Sequence, residues 1–204
     1  DALLRNSVIS SLGKLGDDEI LEEAQIRFAN FLKSGSLDPD LRSAVYSLVA
    51  WNGNKKTYQL LRKLYKKATT QEEKIRFLGA LSNFQDKKLL SKSLEFALSK
   101  DVRSQNLFVP VSRTVSNPYG KELVWPWIKK NWRKIVVRFG VGNPLLNRII
   151  GSLSTESDIR KEQEIKRFFT KHKTAGTEMK LAQTLERIRI NSNFLKTTRQ
   201  ELGA

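Results

Sequence analysis

The 204-residue sequence contains no cysteine. That excludes disulfides, thiol catalysis and every cysteine-ligated metal site. It has a single histidine, His172, so a two-histidine zinc site cannot form from this chain alone. No apolar run approaches the roughly 18 residues that a membrane-spanning helix needs, and no secretory leader is recognisable; a cytoplasmic protein is expected. Gly and Pro are sparse, at 11 and 5 residues, beside 39% apolar and 28% charged residues. This is a soluble globular composition, which rules out collagen-like, low-complexity and disordered chains. No Gly-rich phosphate loop, nucleophile elbow or zinc-binding helix motif is present. Strict apolar–polar alternation over a strand length is essentially absent too.

Acidic residues are also in short supply. Lys and Arg number 37 against 21 Asp and Glu, a formal net charge of +16. The excess is uneven, +5 over residues 1–100 and +11 over residues 101–204. Such a surface attracts nucleic acid, anionic membrane or acidic polypeptide, or faces an acidic neighbouring domain. The chain opens at Asp1 in what reads as mid-helix, so it is expected to be a piece of a longer polypeptide.

What the sequence does contain is helical periodicity. Leu41, Ala44, Val45, Leu48 and Val49 fall on one helix face, as do Ile20, Ala24, Phe28 and Phe31. Phe77, Ala80, Leu81 and Phe84 repeat the pattern, and so do Ile165, Phe168, Phe169 and His172. Asp38-Pro39 and Asn117-Pro118 read as N-caps followed by Pro at the first helical position. Thr70-Gln71-Glu72-Glu73 and Thr155-Glu156-Ser157-Asp158 read as capping boxes. Gly16, Gly35 and Gly53 mark helix ends. These signals predict helices over 2–14, 18–33, 39–51, 55–67, 71–83, 87–98, 101–115, 118–138, 144–152, 156–171 and 177–202, with an interruption at Pro126. Short links make consecutive helices antiparallel, and helices apolar on two sides, such as the one bearing Tyr58, Leu60, Leu61, Leu64 and Tyr65, lie between neighbours. The expected fold is therefore all-α, a superhelical array of antiparallel helical hairpins of the HEAT or armadillo kind, forming a single domain over 1–204. A compact helical bundle is the alternative.

Several polar constellations invite a functional reading. The densest basic segment is 121–138, where Lys130, Lys134 and Arg138 form one stripe opposite Ile128, Trp132, Ile135 and Phe139. It reads as a solvated face, a phosphate contact or a surface for an acidic partner domain. Trp125, Trp127 and Trp132 either fill the space beside the Pro126 break or stack on a ligand. Lys55-Lys56 and Lys66-Lys67 read as solvated pairs. His172, between Lys171 and Lys173, is a poor base and a poor ligand. The carboxylates at Asp17, Asp18, Glu19, Glu22 and Glu23 suit the start of a helix better than a catalytic dyad. Arg103, Gln105 and Asn106 sit just inside an expected helix start, and Arg113 follows Arg103 by close to three helical turns. These groups either bond to neighbouring loops or line a concave surface that receives a carboxylate or peptide carbonyls, for which Arg is a fitting donor.

Short motifs in a fixed order tie these features together: Leu41-Arg42 with Val45-Tyr46 ahead of Gly53, Val102-Arg103 with Gln105, Asn117-Pro118 with Gly120, Trp127 with Asn131-Trp132, Glu164 with Phe168-Phe169, and Leu185-Glu186 with Ile188, Asn191 and Phe194-Leu195. In this set the chain resembles the C-terminal helical domain of the M1 family of zinc aminopeptidases, and within it the tricorn-interacting type. The resemblance implies a helical bowl that caps a separate catalytic domain, with zinc and the exopeptidase motif on that other domain. The chain itself lacks the His-Glu-x-x-His helix and the Gly-Ala-Met-Glu-Asn strand; its only Met is Met179. Catalytic residues, metal ligands and cofactors are thus expected to be absent here. By resemblance, Arg103, Gln105 and Arg113 face the substrate chamber, with Asn117 and Tyr119 beside them. The expected partners are the catalytic domain of the same polypeptide and a peptide substrate, with no membrane. A basic helical-repeat scaffold that binds nucleic acid or a protein partner is the alternative.

Overall fold

Local side-chain chemistry decides where most helices begin. Asp17 Oδ1 accepts from Ile20 N at 3.1 Å, Asp86 Oδ1 from Lys88 N at 2.7 Å and Asn143 Oδ1 from Leu145 N at 2.9 Å. Gly35 closes a helix in the left-handed region at φ 73°, its N–H donating to Phe31 O. The computed structural model describes residues 2–203. Its helices are α1 (Ala2–Lys14), α2 (Asp18–Ser34), α3 (Arg42–Trp51), α4 (Lys55–Lys67), α5 (Gln71–Leu81), α6 (Lys87–Ala97), α7 (Phe108–Val115), α8 (Lys121–Phe139), α9 (Pro144–Ser152), α10 (Ile159–Lys171) and α11 (Glu178–Glu201). Single 3-10 turns occupy Ser104–Asn106 and Leu153–Thr155, and no strand occurs among the described residues.

Several helices start elsewhere than the sequence signals predict. Asp38 does not cap a helix at Pro39. Its Oδ1 accepts from Asp40 N at 2.9 Å in a tight turn, and α3 begins only at Arg42. Asn117 likewise closes a turn on Tyr119 N, and α8 begins at Lys121. The cap of α10 is Asp158, not Thr155. Thr70 caps α5 through Glu73 N, but Glu73 does not reciprocate because its carboxylate is held elsewhere. A capping box forms instead at Asn54 and Thr57. The expected helix over 101–115 starts at Phe108. Pro110 gives the reason: it lacks an N–H and fits only the first turn. By contrast, α8 runs unbroken through Pro126. Pro126 and Glu122 are both exposed, so the carbonyl that loses its partner lies on the solvent side.

The helices pack in two rows. Each odd-numbered helix contacts the next odd one, from α1 to α11, whereas among the even helices only α6 and α8 touch substantially. The odd row is the more closely spaced one and forms the inner layer of a two-layered solenoid. The repeat that is faint in the sequence is plain in the bonding. Tyr65 to Asp101, Asn83 to Ser47, Gln85 to Trp51, Asn117 to Ser82 and Phe84, and Asn191 to Ser154 and Glu156 all span 33–37 residues. Each joins one hairpin to the next.

The core follows the rows in two stretches. One holds Tyr46, Leu61, Phe77, Leu78, Phe84 and Leu90, the other Trp125, Ile128, Trp132, Ile149, Ile165 and Ile188; Phe108 and Leu123 pack against both. Tyr46 stacks on Phe77 with ring centroids 4.6 Å apart, and Trp132 meets Phe169 edge-on at 4.9 Å. Trp125, Trp127 and Trp132 are buried, which removes them as stacking platforms for a ligand.

Candidate functional site

The C-terminal ends of α1, α3, α5 and α7 meet along one edge of the inner row. There Lys14 Nζ donates to Asn83 Oδ1 at 2.8 Å and lies 5.5 Å from the Trp51 ring centroid. Trp51 in turn meets Tyr119 edge-on at 5.6 Å. Asn83 donates to Gly79 O at 2.9 Å and to Ser47 Oγ at 3.4 Å, which fixes its oxygen toward Lys14. Arg113 is exposed beside this group and makes no ion pair or hydrogen bond among the described residues. A Cβ on Gly79 would lie 4.0 Å from its Nε, so the guanidinium crosses a stretch of bare helix backbone. The Lys14 stem is exposed, but its ammonium is partly desolvated; that desolvation first, and the Arg113 charge second, hold its pKa below the ordinary lysine value.

The five residues expected to face a chamber separate into two places. Arg113 and Tyr119 belong to the edge just described. Asn117 lies directly behind them but is 4% exposed and fully committed. Its Nδ2 donates to Ser82 O at 3.1 Å and Phe84 O at 2.9 Å, and its Oδ1 accepts from Tyr119 N at 3.0 Å. It therefore positions Tyr119 and ties two hairpins together. Arg103 and Gln105 are exposed at the other end of α7, preceding and within the 3-10 turn. The helical phase that would align Arg103 with Arg113 does not exist, because the chain between them is not one helix. Lys14, Trp51 and Asn83 were not anticipated. They are far apart in sequence, and only the stacking of α1, α3 and α5 brings them to one edge.

Three of the six basic side chains in 121–138 are taken up by the fold. Lys129 pairs with Glu164, holding that carboxyl below its ordinary range, and Lys121 Nζ donates to Thr155 O at 2.7 Å. Arg138 donates to Ala97 O at 3.3 Å, Ser99 O at 3.1 Å and Val102 O, satisfying carbonyls at the end of α6. Lys130, Arg133 and Lys134 remain exposed. The His172 ring stacks on Phe168 at 4.2 Å with Nδ1 2.9 Å from Phe168 O, a local cap on α10. Among the described residues no three His, Asp or Glu side chains cluster closely enough to hold a metal ion, and no helix is long and apolar enough to cross a membrane.

The ordered motifs now acquire structural meaning. Arg42 and Tyr46 both bind Glu73, at 3.3 and 2.5 Å, and Arg76 joins them at 3.1 Å. Asn117 and Asn191 make the same double donation to the corner of the preceding hairpin. Gly120 packs so closely on Thr114 that a Cβ would lie 2.8 Å from its carbonyl oxygen. A family model described as the ERAP1-like C-terminal domain matches residues 1–190. The chain belongs to this family. Aminopeptidase M1-D of Oryza sativa subsp. japonica is 32% identical over 98% of the chain, Aminopeptidase M1 of Arabidopsis thaliana 31% over 98%, and Glutamyl aminopeptidase of Mus musculus 31% over 98%. The chain spans 22–23% of the length of these relatives. The region shared with the M1 aminopeptidases is thus their C-terminal helical part, and the motifs that carry the likeness mostly join hairpin to hairpin.

Proposed function

We propose that the chain is a single helical domain, HEAT-like in its stacking, that encloses and gates the active site of a cytoplasmic zinc aminopeptidase acting on peptides. The reading rests on the family match over residues 1–190 and on the M1 aminopeptidases that the chain resembles over 98% of its length. Zinc, held by a separate catalytic domain, would supply the hydrolytic chemistry; among the described residues no cluster of ligating side chains forms a site for it. Their part is to bind and orient. Arg113 offers two parallel N–H donors to a peptide carboxylate or carbonyls. Trp51 and Tyr119 give an apolar ledge for a side chain, and Asn117 holds that ledge in place. Arg103 and Gln105 would meet a different part of the chamber. Movement of the domain against its catalytic neighbour would open and close the site, a gating step of a common kind.

The test is kinetic. In the full-length enzyme, Arg113→Ala is expected to lower kcat/KM about 10-fold or more for peptides with a free carboxylate, as removal of a charged hydrogen bond does. A single aminoacyl anilide, which has no free carboxylate for Arg113 to receive, should be hydrolysed within about twofold of the unaltered rate. Equal losses on both substrates, or none on either, would refute the assignment.

A further inference from the structure

On the other row, α4 and α6 flank a groove of about 580 Å³, a volume typical of small-ligand sites. Its rim carries Lys55, Arg62, Lys63, Lys66, Lys67 and Lys92, and no acidic side chain lines it. Two neighbouring stripes of α4 build one wall: residues 55, 59, 63 and 67 form one, residues 58, 62 and 66 the other. Lysines at this spacing repel one another, and among the described residues only Lys66 pairs with a carboxylate, Asp101 at 3.4 Å. Lys55 and Lys56 open α4 with no acidic residue in its first turn, so they add positive charge where the helix end is already positive. Arg62 is held in place by stacking on Phe96 at 3.8 Å. Tyr58 also lines the groove; it is 4% exposed, and its hydroxyl is turned inward toward Ser93 and Arg62.

We propose that this groove binds a compact, soluble polyanion that carries several phosphate groups. The cations face one concavity from two walls, five on α4 and Lys92 on α6, a placement that suits clustered phosphates. The fixed Arg62 guanidinium supplies directed donors inside a field that the lysines create. The groove lies away from the edge that holds Arg113, so this ligand does not compete with a peptide there.

Calorimetric titration of the chain with inorganic tripolyphosphate at physiological ionic strength tests the proposal. Saturable one-to-one binding is expected. The combined Lys63→Glu, Lys67→Glu and Lys92→Glu variant should bind at least about tenfold more weakly. The milder Lys63→Gln, Lys67→Gln and Lys92→Gln variant should weaken binding in the same direction. All three residues are exposed, so helicity by circular dichroism should be unchanged. The combined Lys130→Glu, Arg133→Glu and Lys134→Glu variant alters net charge equally and should bind within about twofold of the parent. Equal losses in both charge-reversal variants would show diffuse attraction and overturn the site. Absence of saturation would overturn it as well. Tighter binding to a polyglutamate peptide, to a single-stranded oligonucleotide or to phosphoinositide-bearing vesicles than to tripolyphosphate would overturn the ligand class.

Discussion

Replacing Asn117 should loosen the junction between the third and fourth hairpins more than any surface change. Three hydrogen bonds converge on its buried amide, at 2.9, 3.0 and 3.1 Å. Asn117→Ala removes all three and strands Ser82 O, Phe84 O and Tyr119 N. Each bond contributes about 0.5–1.5 kcal/mol net, so the loss should be about 2–4 kcal/mol. Asn117→Asp keeps the volume and the acceptor for Tyr119 N but sets a carboxylate against two carbonyl oxygens. It should be at least as damaging at neutral pH. The sign of its pH dependence follows from the same geometry. Burial beside oxygens raises the carboxyl pKa in the folded state above the unfolded value near 3.9. The folded state then binds more protons, so the deficit grows as pH rises from about 4 and shrinks on acidification. Urea unfolding followed by circular dichroism reads both variants. If Asn117→Asp unfolds within about 0.5 kcal/mol of the parent at neutral pH, the donated bonds contribute nothing and the reasoning fails.

Two glycines give a paired expectation. Gly120→Ala sets a Cβ against the Thr114 backbone oxygen and should cost about 1–3 kcal/mol, whereas Gly79→Ala, with only Arg113 Nε at 4.0 Å, should gain up to about 1 kcal/mol from helix propensity; thermal unfolding compares them. Tyr46, Tyr58 and Tyr65 all have raised pKa values, chiefly through burial. Their neutral forms stabilise the fold below the unfolded value near 10, and that stability is lost as pH rises through the folded values. Alkaline unfolding should therefore set in above about pH 10, and Tyr46→Phe, which cannot ionise beside Glu73, should shift it upward.

The helices were legible because their ends are chemically marked. Asp17, Thr70 and Gly35 act where sequence rules place them. The errors cluster where a cap residue serves a turn instead, as at Asp38 and Asn117, or where one proline outweighs an apolar stripe, as at Pro110. Of the surface residues, Arg113 and Tyr119 were reachable through the motif likeness. Lys14 and Asn83 were not, since residues 69 apart in sequence meet only through stacking of odd helices. The basic stripe on α8 is a solvated face at Lys130 and Lys134, one of its sequence readings, but Arg138 is drawn onto carbonyls of the preceding hairpin. Composition shows a cation but not the carbonyl or carboxylate that a neighbouring hairpin brings to it.

The bonds that recur every 33–37 residues have a mechanical consequence. Each of these rungs couples a hairpin to its immediate neighbour, whereas the Lys14–Asn83 and Trp51–Tyr119 contacts along the inner edge reach one hairpin farther. Strain applied at one end is handed on step by step, as in a coiled spring, and small rotations at each junction accumulate into a large change of curvature. Amide exchange should accordingly be fastest in the outermost hairpins and slowest around Phe108 and Leu123, where the two stretches of core interlock.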